Sequence, residues 1–247
     1  MLPIIQVGPI ALPVPLLVLL ASFWIGMRLI DNSALRAGFS RSTISDLVFI
    51  GLVSGLVGAR IAYGLRFLDI FLQDPLSLLA PRAVMLDASG GILTGAIASA
   101  AYIQKKSLSF WPVLDVLAPG LAFFMLGLGL SHLASGQEIG VPTSLPWGIF
   151  SFGEKRHPVQ VYELLMTGVI FAFTLQRFQT KSIPGVRFLT FVACSAAGRI
   201  LLEEVQAGGQ LVFGSLRSVQ LVAWLVLATS LWLSGRLLFP GVLPEKE

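Results

Sequence analysis

The chain has 247 residues, of which 55% are hydrophobic and 12% charged, with a net charge of +4 and a mean hydropathy of +0.83. Soluble domains carry about 25% charged residues, so this chain lacks the polar surface that a cytosolic globule needs. So much apolar sequence also excludes disorder, because it would collapse, and the class left is an all-α integral membrane protein.

Apolar runs between charged or Pro/Gly-rich breaks predict about seven membrane-spanning helices, at 11–30, 46–66, 89–104, 113–134, 158–177, 185–205 and 217–238. Seven spans with short loops use up the length, so one membrane domain over 1–247 is expected. The first eleven residues hold no Lys or Arg, so the opening apolar run reads as a retained span and not a cleaved signal peptide. The third span is short and rich in Gly and Ala, as in a helix packed closely on its neighbours. Between the second and third spans, residues 68–81 are too short to cross and are expected at the interface. The expected inner side holds Arg28, Arg36, Arg41, Lys105, Lys106, Arg177, Lys181, Arg187, Arg236 and Lys246. The outer side holds Arg66, Arg82, Lys155, Arg156 and Arg217. That asymmetry predicts an outside N-terminus and a cytoplasmic C-terminus. The single cysteine, Cys194, lies in an apolar run and excludes an intrachain disulfide.

A charge inside a span costs about 2.5–3.5 kcal/mol even on lenient scales, so each needs a partner or a job. Five qualify: Arg60, Asp115, Glu163, Arg199 and Glu203. Arg60, in GARIAYGLRF with Tyr63 one turn on, reads either as a snorkelling guanidinium or as a cation for a lipid phosphate. Arg199 and Glu203 stand four apart in GRILLEE, so they share a helix face; the pair is either glue between helices or half of an anion site. The segment RHPVQVYELL gathers Arg156, His157, Gln160, Tyr162 and Glu163 where Pro158 can open a helix. This reads as a polar cap or as a substrate mouth. In DASGGILTG, Ser89, Gly90 and Gly91 allow close approach of backbone or ligand. His132 is the only histidine within an apolar span, and reads as an interhelical hydrogen-bonding residue or as a base.

Taken in order, GARIAY, SGGILTG, Asp115 with Pro119, SGQEIGVPTSLPWG, RHPVQVYE, GRILLEE and Gln220 before the last span resemble the bacterial prolipoprotein diacylglyceryl transferase family. The likeness covers about residues 50–235, and RHPxQxYE is its specific part. It implies a multi-pass protein of the bacterial cytoplasmic membrane. Such a protein moves a diacylglyceryl group from phosphatidylglycerol to the lipobox cysteine of a prolipoprotein, releasing glycerol-1-phosphate. The implied partners are that phospholipid, the prolipoprotein and the bilayer; nothing points to nucleic acid, a metal or another cofactor. The resemblance implies catalytic roles for His132, Glu163, Arg199 and Glu203. It implies substrate contacts for Arg60, Tyr63, Ser89, Gly90, Gly91, Arg156, His157, Gln160, Tyr162 and Glu138. Several positions depart from the family: Ser89 stands for a histidine, Gly129 for an arginine, His132 for an asparagine, Gln137 for a glutamate beside Glu138, and Gln206 for an arginine. The alternative is a relative that binds phospholipid or a lipoprotein partner without turnover.

Overall fold

The structure is a computed structural model and describes residues 4–7, 10–73, 85–136, 139–179, 183–208, 211–213 and 216–239. Seven long helices carry the fold: α1 Val14–Arg36, α2 Arg41–Arg66, α4 Ala88–Lys105, α5 Phe110–Ser135, α6 Val159–Gln179, α7 Val186–Val205 and α8 Ser218–Leu238. They match the seven predicted spans within a few residues, apart from the first and second. Ahead of α1 two strands pair, β1 Ile4–Val7 with β2 Ile10–Pro13, and α1 then runs on to Arg36, ending just before Gly38, whose φ of 79 takes the chain out of the helix. The second helix likewise starts at Arg41, five residues before the predicted span, with Ser40 in extended conformation ahead of it. A short helix, α3 Leu68–Gln73, opens the stretch expected at the interface; residues 74–81 of that stretch lie outside the described residues.

Five of the long helices (α1, α2, α5, α6 up to Gln176, and α8) are long and apolar enough to cross a membrane. Helix α4 falls short because it holds Gly, Ser, Gln104 and Lys105, and α7 because it carries Arg187, Arg199, Glu203 and Glu204. Both would be poor spans alone; in a bundle, small residues and buried ion pairs are what neighbouring helices compensate.

The chain divides into two compact units, residues 34–113 and residues 1–33 with 114–247. In the first, α2 and α4 pack by glycine. A Cβ on Gly55 would stand 3.2 Å from the Gly91 carbonyl oxygen, and one on Gly95 would stand 2.9 Å from that of Gly51. A Cβ on Gly90 would lie 2.2 Å from that of Ala62. Glycines four apart on both helices let the backbones meet, the small-residue packing that drives association where lipid removes the hydrophobic incentive. Gly90→Ala is therefore expected to lower stability by about 1–3 kcal/mol through overpacking, read as a lower thermal midpoint in detergent.

The second unit holds the remaining helices. Helices α1 and α5 cross where Gly26 meets the Gly120 carbonyl and Ser22 fills the space beside Gly127. A core of Ala118, Ala122, Ile170 and Phe191 joins α5, α6 and α7, with Cys194 packed against it. Asp115 is buried and accepts from the backbone N–H of Gly185 (2.7 Å) and Phe188 (2.9 Å), satisfying amides at the start of α7 that have no helical partner. Gly185 has φ +93, a left-handed conformation that favours glycine.

At the opposite end, two more hairpins fill the loops: β3 Ile149–Ser151 with β4 Glu154–Arg156, and β5 Leu211–Phe213 with β6 Leu216–Arg217. The first turns at Phe152 (φ 53) and Gly153 (φ 81), the positive dihedrals of a two-residue hairpin turn.

Candidate functional site

One end of the second unit collects the end of α5, the beginning of α6, the end of α7 and the beginning of α8. A short backbone ladder ties three of these together. The Val141 amide donates to the Val205 carbonyl (2.9 Å), His157 donates to Val141 (3.1 Å), Thr143 donates to Lys155 (2.8 Å), and Ala207 donates to Ile139 (2.7 Å). Residues 139–143 thus run between the end of α7 and the strand leading into α6. Gly140 sits so close to this seam that an added Cβ would fall 2.1 Å from the His157 carbonyl oxygen.

Along this seam stand the polar residues singled out above. His132 Nδ1 lies 2.8 Å from Glu163 Oε2, joining α5 to the first turns of α6. Facing an ionised carboxylate, which can only accept, Nδ1 is the donor of this contact. A carboxylate on Nδ1 fixes the orientation of an imidazole, as the aspartate of a Ser-His-Asp triad does. His157 Nδ1 stands 3.3 Å from the Tyr162 hydroxyl, which also accepts from Trp147 Nε1 at 2.8 Å. Arg156 donates to the Gly140 carbonyl (3.1 Å) and pairs with Glu154 (3.1 Å), so its contacts tie it into the ladder. Gln160 is buried in the first turn of α6. Pro158 immediately precedes that helix and accepts from the Tyr162 amide. Glu138 and Gln137 lie outside the described residues.

Arg199 and Glu203 form the predicted pair on α7, 3.2 Å apart. Glu203 is 3% exposed and Arg199 39%. The Glu203 Oε2 atom takes no hydrogen bond among the described residues, so the contact is ionic and does not consume a directed Arg199 donor. Gly198 beside it lets Met166 of α6 come close. The sequence reading placed Arg217 among loop charges. Instead it caps α8, with its guanidinium 3.5 Å from Glu203 Oε1 and donating to the Glu203 and Gln206 carbonyls. Gln220, expected before the last span, lies in the first turn of α8. Its amide accepts from the Arg217 N–H (3.1 Å) and donates to Glu204 (2.6 Å).

An apolar groove of about 480 Å³ opens beside Arg199, between α7 and α8, lined by Met125, Phe191, Val192, Val222 and Val226 among others. A second, of about 290 Å³, continues along the same two helices through Phe188, Leu225 and Leu233, sharing Val192 and Val226 with the first. From Arg199 to Phe188 the seam is roughly 16 Å long at 1.5 Å per residue. Val222 and Leu225 are exposed, so the groove opens on a face fit for lipid.

The other predicted residues belong to the first unit. Arg60 donates to the Met85 carbonyl at 2.9 Å, and Tyr63 packs against Phe67 and Phe71. Asp87 is the N-cap of α4, accepting from the Gly90 amide (2.8 Å) and from the Ser89 hydroxyl. Gly90 and Gly91 face Ala62 and Ala59 of α2. Ser89, Gly90 and Gly91 therefore cap and pack a helix, and a capping aspartate just ahead of an apolar run was the signal for this. The Ser89 hydroxyl, then the Gly90 amide, hold the Asp87 carboxyl below the ordinary carboxylate range. The stabilisation from Asp87 is present above that range and lost as pH falls through the lowered value. Asp87→Asn is expected to weaken that part of the acid-unfolding response, measured by circular dichroism.

Residues 3–235 match the family described as prolipoprotein diacylglyceryl transferase. Three relatives named phosphatidylglycerol–prolipoprotein diacylglyceryl transferase show the extent of the likeness. The protein of Vibrio cholerae strain M66-2 is 32% identical over 233 residues, 88% of this chain and 86% of its own. That of Vibrio vulnificus strain CMCP6 is 34% identical over 193 residues, 76% and 70% of the two chains. That of Vibrio parahaemolyticus is 30% identical over 237 residues, 89% and 86%.

Proposed function

The chain belongs to the prolipoprotein diacylglyceryl transferase family, and on that premise we propose that it transfers diacylglycerol from phosphatidylglycerol to a prolipoprotein cysteine. The observation that carries the reading is the apolar groove between α7 and α8 with a half-exposed arginine at its polar end. A phospholipid needs both at once: hydrocarbon for its chains and a cation for its phosphate. Arg is suited to the second task because its planar fork matches phosphate oxygens.

The reaction forms one bond and breaks one. The cysteine sulfur bonds to the glyceryl carbon that bears the phosphate, the C–O bond breaks, and its electron pair leaves on the phosphate oxygen of glycerol-1-phosphate. The thiol proton goes to a base. Only the thiolate is a good nucleophile, and His132, oriented by Glu163, is the base this site offers. Arg199 meets the charge that grows on the departing phosphate. Arg156 is the candidate contact at the rim, and Arg60, in the first unit, is carried separately as a cation for a lipid phosphate. Glu138, His157, Gln160 and Tyr162 are carried as contacts for lipid or peptide, and Tyr63 as a lipid contact of the first unit.

The expected result is direct. Protein in nanodiscs containing phosphatidylglycerol, given a lipobox peptide, yields a thioether-linked diacylglyceryl peptide by mass spectrometry. Phospholipid binding without that product would instead establish the non-catalytic reading, which Ser89 and Gly129 favour. Gly129 lies against Leu164 and Thr167 of α6, at the position where the family carries an arginine.

A bacterial cytoplasmic membrane is the proposed location, with the seam at the outer surface. A reporter fused after Glu247 is expected to signal from the cytoplasm; a periplasmic signal would reverse the topology.

A further inference from the structure

Arg217 holds a position that pairing Arg199 with Glu203 does not require. Two arginines and one carboxylate meet at the end of α7: Arg199 at 3.2 Å from one Glu203 oxygen and Arg217 at 3.5 Å from the other. Glu203 is nearly inaccessible, so its charge is felt by both guanidinium groups with little screening by water. The same Arg217 nitrogen holds the Glu203 and Gln206 carbonyls, which fixes it against the C-terminal end of the helix, where a cation is favoured. Glu204 does not rebalance the group. It is exposed, about 100° around the helix from Glu203, and bonded to the neutral amide of Gln220, so its charge is screened.

We propose that Arg217 is a positioning residue that, by sharing Glu203, turns a neutral Arg199–Glu203 pair into a triad of net charge +1 facing the lipid groove. The inference rests on the reading of that groove as a phospholipid site. A neutral pair would hold two helices together but would attract an anion weakly. A net-cationic triad matches the single negative charge of a phosphodiester. It also gains further as that phosphate takes up the electron pair of the breaking C–O bond. The carbonyl contacts keep Arg217 from swinging out to bind the phosphate itself. Its Nη1 nitrogen is committed to Glu203 and Gln206, while Arg199 lines the groove.

Charge arithmetic supplies a test that a merely structural role does not pass. Arg217→Gln makes the triad neutral, and the expected result is a 10- to 100-fold lower kcat. Its preference for phosphatidylglycerol over phosphatidylcholine in mixed nanodiscs should also weaken. Adding Glu203→Gln to Arg217→Gln returns the net charge to +1, and this double variant is expected to recover at least a third of the lost turnover and the lipid preference. Arg217→Lys keeps the charge and is expected to stay within about fivefold of wild type, which controls for folding. If the double variant is no better than Arg217→Gln, or if Arg217→Gln changes neither turnover nor lipid preference, the triad proposal is wrong. A wild-type protein that binds phosphatidylglycerol but transfers nothing strikes only the functional reading, because the lipid preference still reports on the triad.

Discussion

Replacing Arg199 by alanine is expected to slow diacylglyceryl transfer about 10²–10³-fold, the usual effect of deleting one preorganised donor from a site of developing negative charge. The size follows from what surrounds it. Among the described residues Arg199 is the one charged residue lining the groove, and its contact with Glu203 is an ion pair that leaves its directed hydrogen bonds uncommitted to that carboxylate. The substitution should leave the fold standing, since Glu203 keeps Arg217 as a counter-charge and is not stranded as a lone buried anion. Arg199→Lys is expected to recover part of the rate, because it restores charge without the two-pronged geometry. Turnover by Arg199→Ala within threefold of wild type, in protein with an unchanged melting temperature, would remove the groove from the mechanism.

The second large effect concerns the base. Loss of His132, as His132→Ala, is expected to lower kcat by about 10²–10⁴-fold, the range for general-base help. Glu163→Gln is expected to cost less, since it weakens the orientation of the imidazole at 2.8 Å without deleting it. The informative measurement is the double variant. Residues that act as a unit are far from additive, so His132→Ala with Glu163→Gln should be no slower than His132→Ala alone. A double variant that loses the product of the two single effects would mean that the two side chains work independently. Supplying a peptide already as thiolate at high pH should narrow the gap between His132→Ala and wild type; a gap that stays constant with pH would assign His132 another task.

The long helices were legible because membrane spans announce themselves: charges and Pro/Gly clusters break the apolar runs, and no tertiary contact is needed to see the breaks. Even the placement of Arg199 and Glu203 on one face follows from a spacing of four. The three hairpins were not legible, since strands of two to four residues are too short for alternation to show, and Phe152-Gly153 is a weak form of the usual turn signal. Arg217 was the costlier miss. As a residue next to a span it counted as a topology charge, and only the fold brings it onto Glu203, fourteen residues away. At Ser89, Gly90 and Gly91 the sequence left close approach of backbone and of ligand both open; α2 packs against the glycines, and the serine hydroxyl goes to the capping carboxylate of Asp87.

The groove along α7 and α8 is bordered by exposed Val222 and Leu225 and is not enclosed in a cavity, which changes what concentration means for this protein. A phospholipid can slide in sideways without surrendering its chains to water, a transfer that would cost about 0.8 kcal/mol for every methylene exposed. The rate should therefore follow the mole fraction of phosphatidylglycerol in the surrounding leaflet and ignore the total lipid in the tube. Diluting the donor with phosphatidylcholine at fixed total lipid should slow the reaction, while adding more vesicles of the same composition should not.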